Sequence, residues 1–249
     1  MKRILFIIII ACISLSSYAS SNQKSIADQA YGKGQYQQAM QIYNTLLKDG
    51  ESADVYYNLG NCYYRTRDMA HAILCYERAH LLKPGDADIR ANLAIAKSKI
   101  QDKTVASSEM FFVKWYYDLV NLKSSDQWSR CAILSFILLL ASISLYVFVN
   151  QIRLKKIGFG AAIFFLCVTI FSNIFSYHQK EALVDRSSAV VMVPAATAHS
   201  TPSESGTALF VVHQGHVVKI KDNSMKMWKE IQLEDGNIGW IKISDLEII

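Results

Sequence analysis

Two long apolar stretches divide the chain into an N-terminal and a C-terminal polar region. Residues 131–149 and 157–177 contain no charged side chain, and each stretch is long enough to cross a bilayer as an α-helix. The pattern therefore predicts two transmembrane helices, placed at residues 129–149 and 157–177. Between them, residues 150–156 carry three basic side chains and no acidic one, so the positive-inside rule predicts a cytoplasmic loop.

The first residues have the pattern of a secretory signal peptide. A basic start precedes an apolar stretch over residues 4–15, and the small residues Ser17 and Ala19 then form a cleavage site. We therefore predict a signal peptide at residues 1–19, which would place both polar regions outside the cytoplasm. Lipoprotein processing at Cys12 is the alternative, because the residues before it loosely match a lipobox.

The N-terminal polar region repeats with a period of 34 residues. The segment 53–59 aligns with the segment 87–93 at that separation, and Ala, Asp, Asn and Leu recur at equivalent positions. With the small residues Gly60 and Ala72 at the helix crossing, this pattern closely resembles the tetratricopeptide (TPR) family. The resemblance implies helical hairpins stacked into an all-α solenoid over residues 20–101, with two repeats and a third first helix.

A TPR array generally binds peptides or partner helices on the concave face formed by its first helices, and the resemblance implies such a groove here. The family pattern places seven polar and aromatic residues toward it: Lys24, Tyr57, Asn58, Asn61, Tyr64, Arg65 and Asn92. A carboxylate clamp of the kind that some members use is incomplete, because Asp28 stands where one clamp asparagine is expected. The alternative is that the asparagines brace neighbouring turns and the tyrosines only pack.

Residues 102–128, between the repeats and the first span, include the aromatic run Phe111–Tyr117. Trp and Tyr favour the headgroup layer of a bilayer, so this juxtamembrane segment is predicted to be an interfacial helix on the outer leaflet. A helix that binds a partner is the alternative.

Short apolar segments separated by turn residues fill the C-terminal region, residues 186–249. Five strands are predicted, at 188–192, 209–212, 216–220, 228–233 and 237–241. They indicate a small all-β barrel that resembles a bacterial SH3-like domain. Such domains often bind cell-wall peptides or proline-rich segments, which makes Trp228 and Trp240 the ligand candidates, with core packing as the alternative for each.

Charge and motifs argue against several other functions. The net charge of +5 is spread over 26 basic and 21 acidic side chains without a run of like charge, so nucleic-acid binding receives no support. No catalytic or phosphate-binding motif occurs. Cys62 and Cys75, on the two helices of one repeat, are predicted to be buried thiols rather than a disulfide. His213 and His216 are expected to flank a turn, so no metal and no cofactor is predicted.

The order of these parts resembles the E component of the Bacteroides aerotolerance family. The fold class that follows is a multi-domain membrane protein with a TPR solenoid, a two-helix transmembrane hairpin and a small SH3-like barrel. The resemblance implies partners among sister aerotolerance proteins with von Willebrand factor A domains, in a complex associated with a MoxR-type ATPase. It also implies a role in oxygen tolerance or envelope integrity.

We therefore expect a non-enzymatic scaffold of the inner (cytoplasmic) membrane, with its TPR and SH3-like domains in the periplasm. A peptidoglycan-binding envelope anchor that acts through the barrel is the alternative. A third possibility is a peptidase or redox enzyme with an unrecognised site, for which Cys62 and Cys75 are the best nucleophile candidates.

Overall fold

The computed structural model describes residues 22–102 and 110–249, which form two compact units. The first unit contains the helices of the N-terminal region together with the C-terminal β-sheet, and the second contains the three helices between them. The predicted signal peptide at residues 1–19 lies outside the described residues.

The N-terminal region folds into five consecutive helices: α1 (22–32), α2 (Tyr36–Asp49), α3 (Ala53–Arg65), α4 (Met69–Leu82) and α5 (Ala87–Lys97). Two of their turns contain a residue in the left-handed region. Gly34, between α1 and α2, has a φ of +76°, which glycine adopts without strain because it has no Cβ atom. Arg67, between α3 and α4, has a φ of +67° at the position where the TPR pattern usually has glycine. The turn therefore forms without the glycine.

Small residues set the distance between α3 and α4. A Cβ added to Gly60 on α3 would lie 2.7 Å from Cε1 of Tyr76 on α4. Tyr76 is only 1% exposed and cannot swing into solvent. The first hairpin uses the same device, because Ala27, Ala30 and Ala39 are all buried between α1 and α2. Close helix contacts of this kind need small side chains on at least one partner.

The C-terminal region forms one antiparallel sheet of seven strands: β1 (Ser188–Val191), β2 (Ala195–His199), β3 (Ala208–His213), β4 (Val217–Asp222), β5 (Trp228–Gln232), β6 (Ile238–Lys242) and β7 (Leu246–Ile248). Their order is β3-β2-β6-β5-β4-β1-β7. The strands β3 and β7 are the two edges, so the sheet does not close into the expected barrel. All five predicted strands are present, and β2 and β7 are additional.

The repeats and the sheet share one hydrophobic core. Ile73 on α4 belongs to the same buried cluster as Val190 on β1 and Ile249. Gly215, in the turn between β3 and β4, has a φ of +86°, and a Cβ there would lie 2.7 Å from Cγ2 of Ile100. The helices and the sheet are therefore close-packed, without room for an intervening water layer.

Two polar contacts border this shared core. Arg78 on α4 donates from Nη2 to the backbone oxygen of Ile248 at 2.6 Å, and its Nη2 lies 3.2 Å from Oε1 of Glu247. On the other side, the backbone N–H of His213 donates to Oδ2 of Asp102 at 2.7 Å, and Nδ1 of His213 lies 2.7 Å from Oδ1. Each contact joins the helical region to one edge strand of the sheet.

The second unit contains α6 (Phe111–Val120), α7 (Ser125–Phe148) and α8 (Ile152–Asp185). Both α7 and α8 have the length and the apolar composition that a membrane-spanning helix requires. The three basic residues predicted to lie in a loop, Arg153, Lys155 and Lys156, instead lie in the first two turns of α8. At its other end, α8 continues eight residues beyond the predicted span.

The interface between α7 and α8 is built from small and polar residues. Ser135, Ser142 and Ser172 are buried there, whereas large apolar side chains such as Ile133 and Phe164 are exposed. Ser135 and Thr169 join the two helices through a hydroxyl–hydroxyl hydrogen bond of 2.8 Å. An apolar exterior around a polar seam is the reverse of the pattern of a water-soluble hairpin.

Helix α6 has one packed side and one exposed side. The ring of Tyr116 packs edge-on against Phe175 of α8, with 5.9 Å between centroids. Phe111, Phe112 and Trp115 are exposed. The predicted aromatic segment is therefore helical in its described part, with an unpartnered aromatic face.

The Gly60 contact gives a stability prediction. Gly60→Ala should lower the free energy of unfolding by about 1–3 kcal/mol, because the new methyl group meets the immobile Tyr76 ring. Urea denaturation of the full chain in detergent, followed by circular dichroism, measures the change. The matched control is Gly32→Ala, where a Cβ meets nothing within 4 Å. Equal stability of the Gly60 variant and wild type would contradict the proposed packing.

The Arg78 contact predicts coupling between the helices and the sheet. Arg78→Met keeps the apolar stem but leaves the Ile248 carbonyl without its cationic donor, so β7 and its neighbour β1 should open more often. Amide hydrogen exchange should then be about tenfold faster in these strands, with α2 unaffected. Lys242→Met, which removes an exposed ion pair with Glu204, is the control and should leave exchange unchanged.

Candidate functional site

The first helices of the repeats line a cavity of about 340 Å³, which we call the aromatic pocket. Its walls are Tyr31, Tyr57, Asn61, Tyr64, Arg65, Tyr76, Asn92 and Ile95. Five of the seven residues that the sequence places in the groove therefore lie together. A pocket with several tyrosines and a few polar groups is typical of sites that hold a side chain of a protein partner.

The polar groups of this pocket are held by one another. Oδ1 of Asn61 accepts hydrogen bonds from the hydroxyl of Tyr76 at 2.7 Å and from Nδ2 of Asn92 at 2.9 Å. Nδ2 of Asn92 also lies 3.0 Å from the hydroxyl of Tyr57. Asn61 and Asn92 thus brace α3 against α5, as the alternative interpretation of these asparagines predicted. Their mutual hydrogen bonds fix the shape of the pocket.

Arg65 and Tyr64, in contrast, make few internal contacts. Arg65 is exposed at the end of α3 and has no carboxylate partner in the described part of the chain. Interaction with the nearby hydroxyl of Tyr31 raises the pKa of the guanidinium above its usual value. Arg65 is therefore a permanent positive charge at the rim of the aromatic pocket.

The two remaining groove residues lie in a second cavity of about 250 Å³, which we call the acidic pocket. It is lined by Lys24, Asp54, Tyr57, Asn58, Asp86, Asp88 and Ile89. Tyr57 belongs to both cavities and joins them into one groove. Three aspartates and one lysine therefore line this end of the groove.

Asp28 binds both Lys24 and Asn58. Its carboxylate lies 2.9 Å from Nζ of Lys24, and it accepts hydrogen bonds from the hydroxyl of Tyr43 at 2.6 Å and from Nδ2 of Asn58 at 2.9 Å. Burial raises the pKa of Asp28, but these three donors outweigh that effect, so its pKa lies below its usual value. A ligand carboxylate would therefore compete with Asp28 for both donors.

The sequence did not assign Tyr31, Ile95 or Tyr76 to the groove. Tyr31 lies 33 residues before Tyr64, and Ile95 lies 34 residues after Asn61. Both separations are repeat spacings, so the periodicity carried this information. The ring of Tyr76 is buried between the helices, but its hydroxyl reaches the pocket.

Trp228 and Trp240 share the outer face of the sheet. They lie on paired strands at positions that alternate with the buried Ile231. The ring of Trp228 packs edge-on against His199 at 5.6 Å between centroids, and Nζ of Lys242 lies 5.9 Å from its centroid. Both tryptophans are half-buried, so they belong to a surface cluster and not to the core.

The two repeat cysteines offer no nucleophile. Cys62 and Cys75 are free and buried, which confirms that they are not paired with each other. Burial raises the pKa of each thiol to about 12, so both are protonated at neutral pH.

The two sheet histidines flank the turn between β3 and β4, as predicted. His213 is paired with Asp102. Both ring nitrogens of His216 are buried without a hydrogen-bond partner, and burial lowers its pKa, so the ring is neutral. Within residues 22–102 and 110–249, no three metal-ligating side chains come together.

Comparison with known families identifies one element. Residues 53–86 match the tetratricopeptide repeat family, which confirms the repeat formed by α3 and α4. No curated protein matches the chain. Tetratricopeptide repeats are protein-binding modules, so the matched segment indicates an interaction scaffold.

The Asp28 contacts predict a pH dependence. The pKa of Asp28 is lower in the folded chain than its usual 3.8, so its stabilising effect is fully present above about pH 4 and is lost as the pH falls through the folded pKa. Between pH 5 and pH 3, wild type should lose more unfolding free energy in urea than Asp28→Asn. All other carboxylates are common to both proteins, so equal losses would contradict this role.

Proposed function

We propose that the chain is a non-enzymatic scaffold of the inner membrane that holds a segment of a partner protein in the groove of its repeats. The observation that carries this proposal is the aromatic pocket. Hydrogen bonds among four of its walls, Tyr57, Asn61, Tyr76 and Asn92, pre-organise the pocket, so a ligand need not order these side chains on binding. Tyr64 and Arg65 remain available to contact it.

Membrane attachment is supported by the second unit, in which apolar side chains are exposed and polar side chains are buried between α7 and α8. The apolar side chains around α7 and α8 would be costly in water and are favourable in lipid, while the serine contacts between the helices need no water. The basic residues Arg153, Lys155 and Lys156 favour a cytoplasmic connection between the spans. The repeats and the sheet would then face the periplasm, and the proposed signal peptide at residues 1–19 requires the same topology.

The exposed aromatic face of α6 supports an interfacial position for that helix. Phe111, Phe112 and Trp115 would enter the boundary between headgroups and acyl chains, where aromatic rings are favoured. The helix would then hold the chain close to the outer leaflet beside the first span. Binding of a partner helix to the same face is the alternative.

The partners that we propose are sister aerotolerance proteins with von Willebrand factor A domains, in an envelope-stress complex. The support is the order of parts along the chain, namely TPR repeats, an aromatic segment, two apolar helices and a C-terminal β-region. In the proposed complex the repeats would bind the partner protein, and the hairpin of α7 and α8 would hold the chain in the membrane.

A peptidoglycan-binding anchor is the second candidate, favoured by the outer-face cluster of Trp228 and Trp240. Aromatic rings beside Lys242 would suit a sugar or peptide of the cell wall. In this case the SH3-like sheet would be the principal binding surface and the repeats would serve association.

Site-specific photo-crosslinking tests the scaffold proposal. A photoreactive phenylalanine analogue at Tyr64, in the full chain in its native membrane, should capture a discrete set of membrane proteins. Arg65→Ala in the same chain should reduce this capture several-fold, because it removes a contact at the pocket rim without touching the asparagine brace.

The matched control carries the photoreactive residue at Gln38, which is exposed on α2 away from the pocket. Identical products from both positions would argue against the groove. Capture of wall fragments alone, lost with Trp228→Ala, would favour the anchor.

A further inference from the structure

Helix α8 carries an asparagine on its exposed side, within the stretch proposed to cross the membrane. Asn173 is exposed, and it lies four residues before the end of the uncharged stretch 157–177. Four residues of helix measure about 6 Å, and the whole stretch measures about 30 Å, the thickness of the hydrocarbon layer. The amide of Asn173 would therefore lie inside that layer, and the side chain is too short to reach the headgroups.

The amide of Asn173 uses only part of its hydrogen-bonding capacity. Nδ2 donates to the backbone oxygen of Thr169 at 2.8 Å, which is its only hydrogen bond to the described residues. An asparagine amide has two N–H donors and an accepting oxygen, so one N–H and the oxygen have no partner there. Lipid tails cannot bind either group, so both favour contact with another polar side chain in the membrane.

The exposed side chains on either side of Asn173 follow a heptad pattern. Six of them are spaced alternately four and three residues apart along one side of α8, and we call them the α8 seam: Phe159, Ile163, Leu166, Ile170, Asn173 and Tyr177. Such spacing is typical of helices that pair in a left-handed supercoil. Its two isoleucines occupy a positions and Leu166 the d position between them, a combination that favours two parallel helices.

The other helices of the second unit leave the α8 seam uncovered. Ser172, which is buried at the contact with α7, precedes Asn173 by one residue and therefore points about 100° away from it. Phe175, which packs against Tyr116 of α6, follows Asn173 by two residues and points about 160° away from it. A further helix can therefore reach the seam without displacing α6 or α7.

A second copy of this chain is the occupant that fits the seam. Copies inserted in one membrane share one orientation, so they run parallel and place Asn173 at the same depth. The asparagine amide is both donor and acceptor, so two of them related by a twofold axis satisfy each other. A helix of a different protein would have to bring its own polar side chain to that depth.

We propose that the chain forms a parallel dimer in the membrane, in which the seams of two α8 helices meet and the two Asn173 amides hydrogen-bond across the twofold axis. This inference rests on the proposed membrane attachment and adds a self-association surface to it. A dimer carries two grooves, so a partner with two recognition segments would bind more tightly where both can be engaged.

Disulfide crosslinking in native membranes tests the seam. The full chain carries Leu166→Cys together with Cys12→Ser, Cys131→Ser and Cys167→Ser, so that its remaining native thiols are the two buried in the repeats. Oxidation with copper phenanthroline should give a species of twice the mass on a non-reducing gel. The matched control replaces Leu166→Cys by Phe164→Cys, which lies on the opposite exposed side of α8 and should crosslink several-fold less.

Substitution of Asn173 separates the amide contact from general crowding in the membrane. Asn173→Leu should lower the crosslinked fraction about fivefold, because polar contacts between membrane helices stabilise their association by such factors. Asn173→Gln keeps the amide and should restore most of it. Ser144→Leu makes a span equally more apolar, but the hydroxyl that it removes is exposed and already donates to the oxygen of Leu140, so this control should leave crosslinking unchanged.

Each outcome decides the proposal. Equal crosslinking at positions 166 and 164, or a crosslinked fraction that Asn173→Leu leaves unchanged, would overturn the dimer. Mass spectrometry identifies the product, and a different protein joined at position 166 would exclude the second copy as the occupant. Carbonate extraction tests the premise separately. A chain that stays in the membrane without crosslinking overturns the dimer alone, whereas release into the soluble fraction rejects the membrane attachment as well.

Discussion

Helix α4 is buried on two opposite sides, by α3 and by the β-sheet, and this double burial holds the first unit together. Seven of its fourteen residues are buried: Ala70, Ala72, Ile73, Leu74, Cys75, Tyr76 and Ala79. A helix that is apolar around most of its circumference cannot remain at a surface, so a single TPR hairpin would leave half of α4 in water. The sheet supplies the missing cover. In a longer solenoid the next helices would provide it.

The same burial determines the shape of the groove. Tyr76 has its ring in the core beneath Gly60 and its hydroxyl on Asn61, so one side chain connects the packing of α4 to the polar network of the pocket. Asn92 extends this network to α5. The pocket therefore depends on residues that never need to touch a ligand. Tyr64 and Arg65, which make few internal contacts, lie at the rim of the pocket. Substitutions there should alter binding more than folding.

The helices and most of the strands were predicted from the sequence because each is determined by a pattern within its own segment. The 34-residue period located α3 to α5, and the two uncharged stretches located α7 and α8. The strand β2 was missed because three of its five residues are alanine, which is depleted in strands. The strand β7 was missed because it has only three residues. The contact between α4 and the sheet joins residues more than a hundred positions apart, which no periodicity encodes. One signal was present, since the apolar run Ile73–Cys75 breaks the amphipathic pattern and indicates a helix with a second partner.

A groove formed by only three first helices has a consequence for affinity. It would contact only a few side chains of a ligand, so its binding energy is limited. Proposed attachment to the same membrane as the partner compensates for this limit, because confinement near one surface raises the effective concentration of the ligand without any new contact. Under this arrangement the hairpin is part of the recognition mechanism. A short groove with modest intrinsic affinity would then discriminate between partners already at the membrane, while proteins free in solution would bind it poorly.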